Sequence, residues 1–270
     1  MKKLLFVTFF ISFSLFCFSI NEEEWVADFY NISSDNREVK TVIIKKGDAI
    51  PQELMNVPRY VVGVAIVEKG EIYIFDERTN SYPFGSLEQV LIHELSHIYL
   101  YRSIGFKAPR WFDEGLAMKL SGEWSFTDEF YLALSLPKVA LSNFELSKLE
   151  KDFKGYESSS RTSYTLSRAF VRDLFINDLD LKNFIKDIKN EASFEKAFIK
   201  QFNLTPDYAF KMWAKRLPWW GPFLYFLTSA NTIWFFIVIL FLIASVVTII
   251  RRLKWRKRWE EEENQNDFLQ

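Results

Sequence analysis

The chain contains two histidines, and they stand four residues apart in His93-Glu94-Leu95-Ser96-His97. On an α-helix, residues i and i+4 share a face, so both imidazoles can reach one divalent ion while Glu94 flanks them. The chemistry such a trio supports is water activation: the rings hold the ion and the neighbouring carboxylate takes a proton. The plainer alternative is a pair of core or solvated histidines that matches the pattern by chance, and the surrounding residues decide between the two.

Seventeen residues beyond His97 stands Glu114, inside Trp111-Phe112-Asp113-Glu114-Gly115-Leu116-Ala117. A catalytic zinc site uses three protein ligands and keeps one position open for water, and two histidines with a glutamate form one such set. Glu114 is therefore the candidate third ligand. The H-E-x-x-H stretch followed by W-x-x-E-G resembles the gluzincin metallopeptidases, most closely the bacterial peptidase MA-like family. The resemblance covers roughly Tyr60 to Leu217 and includes Gly63-Val64-Ala65, Ser193 to Phe198 and Trp213.

The resemblance implies a Zn2+ cofactor held by His93, His97 and Glu114, a peptide or protein substrate, and Glu94 as general base rather than ligand. It implies that an antiparallel edge strand, assigned to Glu71 to Phe75, lies beside the metal helix and pairs with an extended peptide. It also implies a tyrosine donor to the oxyanion, for which Tyr164 occupies the corresponding place. A packed aromatic residue is an equal reading of Tyr164. Asp113 either orients a ligand or is an exposed acid at a helix start, the second being the expected role.

Other HExxH classes fail on the same residues. An extended metzincin motif needs Gly and His three and six positions past the second histidine, where Leu100 and Ser103 stand. A membrane-embedded motif is excluded by Glu88, Gln89 and Arg102, which make the segment too polar to span a bilayer.

The elements that must position these residues suggest an α+β fold, a small antiparallel sheet followed by the HExxH helix and a mainly helical lobe. Strand signals run from about Trp25 to Asp76, at Val39 to Lys45, Tyr60 to Val67 and Glu71 to Phe75, with Glu68-Lys69-Gly70 as a hairpin loop. Ser86 with Gln89 forms a capping box for the metal helix and Gly105 ends it, giving about five turns over 87 to 104. Pro109 begins the helix that carries Glu114. Ser125 to Ser160 reads as short helices broken at Pro137, with Gly155 to Ser160 as a loop. Helical spacing returns from Ser163, then at Leu181 to Lys189, Phe194 to Phe202 and Pro206 to Leu217.

The chain ends point to the membrane. Lys2 and Lys3, the apolar run Leu4 to Phe16 and Cys17-Phe18-Ser19 read as a signal peptide over 1 to 19, with an uncleaved anchor as the alternative. Bulky Phe16 ahead of Cys17, the single cysteine, argues against a lipoprotein, and cleavage after Ser19 would leave no cysteine for disulfides or metal. No charge occurs from Leu217 to Ile250, so 231 to 250 reads as a transmembrane helix, with Trp219, Trp220, Tyr225 and Trp234 suited to the interface. Arg251, Arg252, Lys254, Arg256, Lys257 and Arg258 follow it, which places a 251 to 270 tail in the cytoplasm and residues 20 to 217 outside.

The composition, 49% hydrophobic and 26% charged, is compatible with a globular core. Acids slightly outnumber bases in the exported part, so nothing there suggests nucleic-acid binding, which needs a clustered basic face. The expectation is a membrane-anchored zinc metallopeptidase. The rival is a catalytically inactive, zinc-stabilised binding or scaffold protein tethered to the same bilayer, against which the presence of Glu94 speaks.

Overall fold

The computed structural model describes residues 22–79, 86–141, 145–153, 157–216 and 230–267. The signal segment over 1 to 19 and the interfacial Trp219, Trp220 and Tyr225 lie outside the described residues. The described chain is mostly helical with one small mixed sheet.

It opens with a helix, α1 (Glu22–Phe29), where strand signals were read from Trp25. Glu22, Glu23 and Glu24 fill its first turn, where acids complement the helix dipole, and Val26, Ala27 and Phe29 are buried. Packing of that face overrides the strand propensity of Trp25 and Val26.

Strands β1 (Lys40–Ile44), β2 (Gly63–Ile66) and β3 (Glu71–Phe75) form a sheet of order β1-β3-β2. β2 and β3 are antiparallel across the Val67 to Gly70 turn, but β1 runs parallel to β3, so the sheet is mixed and not antiparallel. Period-2 patterning encodes which residues face the core, not strand direction. Ile72 and Ile74 join the main core, whereas Tyr73 and Phe75 pack with Ile44 and Leu54 on the other face.

Helix α2 (Leu87–Ile104) starts where the Ser86 side chain accepts from the Gln89 amide, 3.2 Å, and is capped by Gly105 in the left-handed region. Its inner face is fixed by hydrogen bonds as well as packing. Tyr30 Oη and Ser96 Oγ lie 2.6 Å apart, and the Tyr99 hydroxyl donates to the Arg37 carbonyl at 2.7 Å. Rotation of α2 about its axis would break both contacts, so they also fix the direction in which the histidines point.

The helical lobe comprises α3 (Arg110–Leu120), α4 (Phe126–Leu141), α5 (Leu146–Asp152), α6 (Glu157–Leu174), α7 (Asp178–Glu191), α8 (Phe194–Phe202) and α9 (Pro206–Arg216). The stretch read as short broken helices contains the 16-residue α4, which runs through Pro137. Proline removes one amide donor, and Leu132, Leu136 and Val139, all buried, hold the flanking turns. Likewise the loop expected up to Ser160 is already helical from Glu157.

α3 and α6 approach closely at Gly115, where an added Cβ would lie 2.6 Å from the Ser167 carbonyl oxygen. This contact explains the glycine after Glu114: it lets the two helices meet. Trp111 and Phe112 on α3 anchor an aromatic core with Phe170, Phe184, Phe194 and Phe198. Burying one such ring is worth about 2 kcal/mol in transfer free energy.

Beyond this body, α10 (Ala230–Asp267) contains Ile233–Arg258, whose apolar side chains are exposed. It is long and apolar enough to cross a membrane.

Candidate metal centre

α2 and α3 bring His93, His97 and Glu114 together, with ligand atoms within 4.8 Å of one another. Glu114 Oε2 lies 3.5 Å from His93 Nε2 and 3.7 Å from His97 Nε2. These three residues are buried or nearly so and could hold a metal ion.

The opposite ring atoms show how the donors are aimed. His93 Nδ1 is 2.7 Å from Glu123 Oε1, and His97 Nδ1 is 2.7 Å from Asp113 Oδ1. A carboxylate only accepts, so each Nδ1 carries the proton and each Nε2 is left to bind an ion. Donor set, convergence and tautomer all fit a divalent metal. Asp113 is thus not the exposed helix-start acid that was expected. Adjacent helical residues point about 100° apart, so with Glu114 facing the rings' Nε2 atoms, Asp113 reaches around to Nδ1 of His97.

Glu123 was missed in the sequence. It is 1% exposed, also accepts from the Ser121 hydroxyl at 2.5 Å, and follows α3 across a turn at Gly122. The signal that could have found it is the histidine pair itself: a second imidazole needs its own carboxylate, and Glu123 is the next acid after Glu114.

Glu94 is buried at the same centre. A Cβ on Gly63 would lie 2.5 Å from Glu94 Oε1, so the strand passes against the carboxylate with no room for a side chain. Burial raises the Glu94 carboxyl above its usual range; His93 and His97 pull it down, and Glu114 and Glu123 push it further up. Burial acts on Glu114 in the same sense, but His93, His97 and Arg110 outweigh it and bring its pKa to about 2. Two carboxylates of one centre are therefore driven apart, Glu114 toward permanent charge and Glu94 toward proton exchange.

Tyr164 lines the same cleft. Burial and Glu114 raise its pKa far beyond the ordinary value despite Arg110, so the phenol stays protonated and able to donate.

The cleft encloses about 490 Å³ and is walled by the β2 segment, by α2 and by the loop before α3. Glu71–Phe75, expected to be the edge strand, is the central one; the edge that faces the cleft is Gly63–Ile66. β3 is buried without alternation from Ile72 to Phe75, on both faces of the sheet.

Metal uptake should be coupled to proton release. Burial favours the neutral ring of His97, but Asp113 and Glu114 outweigh it and hold the group at about 9. For His93 burial is again the largest influence, yet Glu123, Glu114 and Glu94 together raise it well above the ordinary value. Both rings bind protons that an ion must displace, so apparent affinity rises with pH through the range in which His97, at about 9, gives up its proton. Chelator-competition titrations of zinc between about pH 6 and 10 should show up to tenfold per pH unit per titrating ring. A flat profile would contradict this.

Comparison of the chain with protein-family models, with curated protein sequences and with solved structures finds no match. The site has to be read from its own geometry.

Proposed function

We propose that the protein is a membrane-anchored zinc metallopeptidase with a zincin-like fold. The observation that carries this reading is the convergence of His93 Nε2 and His97 Nε2 on one oxygen of Glu114, with buried Glu94 in the same cleft. Two imidazoles and a glutamate are a catalytic zinc set. When bound, the ion supplies Lewis acidity and brings the pKa of its water near 7.

The chain's own residues do the rest. Glu94 accepts the proton of the attacking water and delivers it to the leaving amine, a role suited to a carboxyl raised toward neutral pH. Tyr164, kept protonated, donates to the oxygen on which negative charge develops. The edge of β2, outermost among the described strands, offers backbone donors and acceptors to an extended peptide, and Gly63 brings that edge against Glu94. Asp113 and Glu123 hold the two rings in one tautomer.

The reading is tested on the full-length chain in detergent, supplied with zinc and a mixed peptide library, with new termini read by mass spectrometry. Cleavage by the unaltered chain and none by Glu94→Gln supports it. No cleavage by either favours a scaffold.

Gly63→Ala should lower hydrolysis about tenfold or more, because the methyl group displaces Glu94, while metal content stays unchanged. Loss of metal together with activity would place the defect elsewhere. The cationic run after the apolar helix supports a cytoplasmic C-terminus and an extracytoplasmic catalytic body. A reporter fused after Gln270 should then be active in the cytoplasm, and activity only outside would reverse the orientation.

A further inference from the structure

We infer that Arg110 is a positioning residue that holds Glu114 to one-oxygen ligation and keeps the fourth coordination position open. This rests on the metal reading of the site. The two oxygens of Glu114 are treated differently: Oε2 faces both imidazole Nε2 atoms, whereas Oε1 accepts from Arg110 Nε at 3.1 Å. A carboxylate free at both oxygens can chelate an ion through both, which fills the position that an attacking water needs. A charge-assisted bond to Oε1 competes with that second contact.

The same guanidinium lines the cleft together with Tyr164. Its planar, permanently charged fork presents Nε to Oε1 in one geometry, which a lysine ammonium on a flexible stem does not fix. Phe153 backs the arrangement. The Arg110 guanidinium sits 4.8 Å from the Phe153 ring centre, and that ring meets Tyr164 edge-on at 5.0 Å. Phe153 is 3% exposed, so it is a fixed wall against which the cation rests. Arg110 lies one turn before Glu114 on α3, so ligand and restraint move as one body.

The test uses the full-length chain in detergent, stripped of metal and titrated with Co2+ alone. The visible absorption of bound cobalt is intense in four-coordinate sites and weaker when a fifth donor joins. Unaltered protein should give the four-coordinate spectrum. Arg110→Ala should weaken the band as the second oxygen joins and should lower cobalt affinity by about 10- to 100-fold. Millimolar methylguanidinium, which can enter the space left by the side chain, should restore the band. If Arg110→Ala does not fold, Arg110→Met keeps the stem against Phe153, removes the donors, and is read by the same band.

A folded variant with unchanged band and affinity overturns the assignment, as does an unaltered chain with no cobalt signal. Because no substrate is present, a failure of peptide hydrolysis leaves this result standing. Conversely, an unchanged band removes the role of Arg110 without touching the peptidase reading.

Discussion

Glutamine in place of Glu94 is expected to leave one metal ion per chain and to lower peptide hydrolysis by about 100- to 10,000-fold, the usual worth of a positioned general base. The substitution is nearly isosteric, which matters because Glu94 is buried between α2 and Gly63 of β2 and has little room. Removing one charge from a centre that also holds Glu114, Glu123 and Asp113 leaves the ligand atoms where they are. Turnover and metal content measured on the same sample check the point. Full activity in Glu94→Gln would assign the base to another residue, and loss of the metal would make Glu94 a ligand.

The second large effect separates two adjacent acids. Glu114→Ala should lose both metal and activity, because a three-ligand site has no spare donor and because the alanine leaves both imidazoles without a third partner. Asp113→Ala should keep the metal, with affinity or activity reduced by about 10- to 100-fold, since it removes only the carboxylate that orients His97. The measurement is zinc per chain after dialysis against a weak chelator. Asp113→Ala empty with Glu114→Ala loaded would invert the assignment. Arg110 gives the glutamate variant a further consequence: the guanidinium loses its Oε1 partner.

What could be read from the residues differs between local and non-local features. The metal helix was legible end to end because its limits are local chemistry, a serine whose oxygen takes the Gln89 amide and a glycine with φ of 84°. Glu114 was legible because a three-ligand set needs one more donor and the W-x-x-E-G segment offers it; that Gly115 lets two helices meet is visible only in the structure. Glu123 was not, since a lone acid in a turn carries no period or motif, and its pairing with His93 depends on how α3 ends. Asp113 was placed on the wrong side of the choice because an acid in a first turn always has a ready explanation in the helix dipole.

The sheet shows the same division. The β-branched and aromatic residues of β3 marked it as a strand, yet neither its central position nor the parallel pairing with β1 has any local signature. The edge strand beside the cleft is therefore Gly63–Ile66 and not Glu71–Phe75.

The most direct measurement is the dependence of hydrolysis on added zinc. Full-length protein stripped of metal should cleave no peptide, and cleavage should rise linearly with zinc and break at one equivalent per chain, as a single three-ligand centre requires. Cleavage that persists in the stripped protein, or that never appears at any zinc level, would contradict the account.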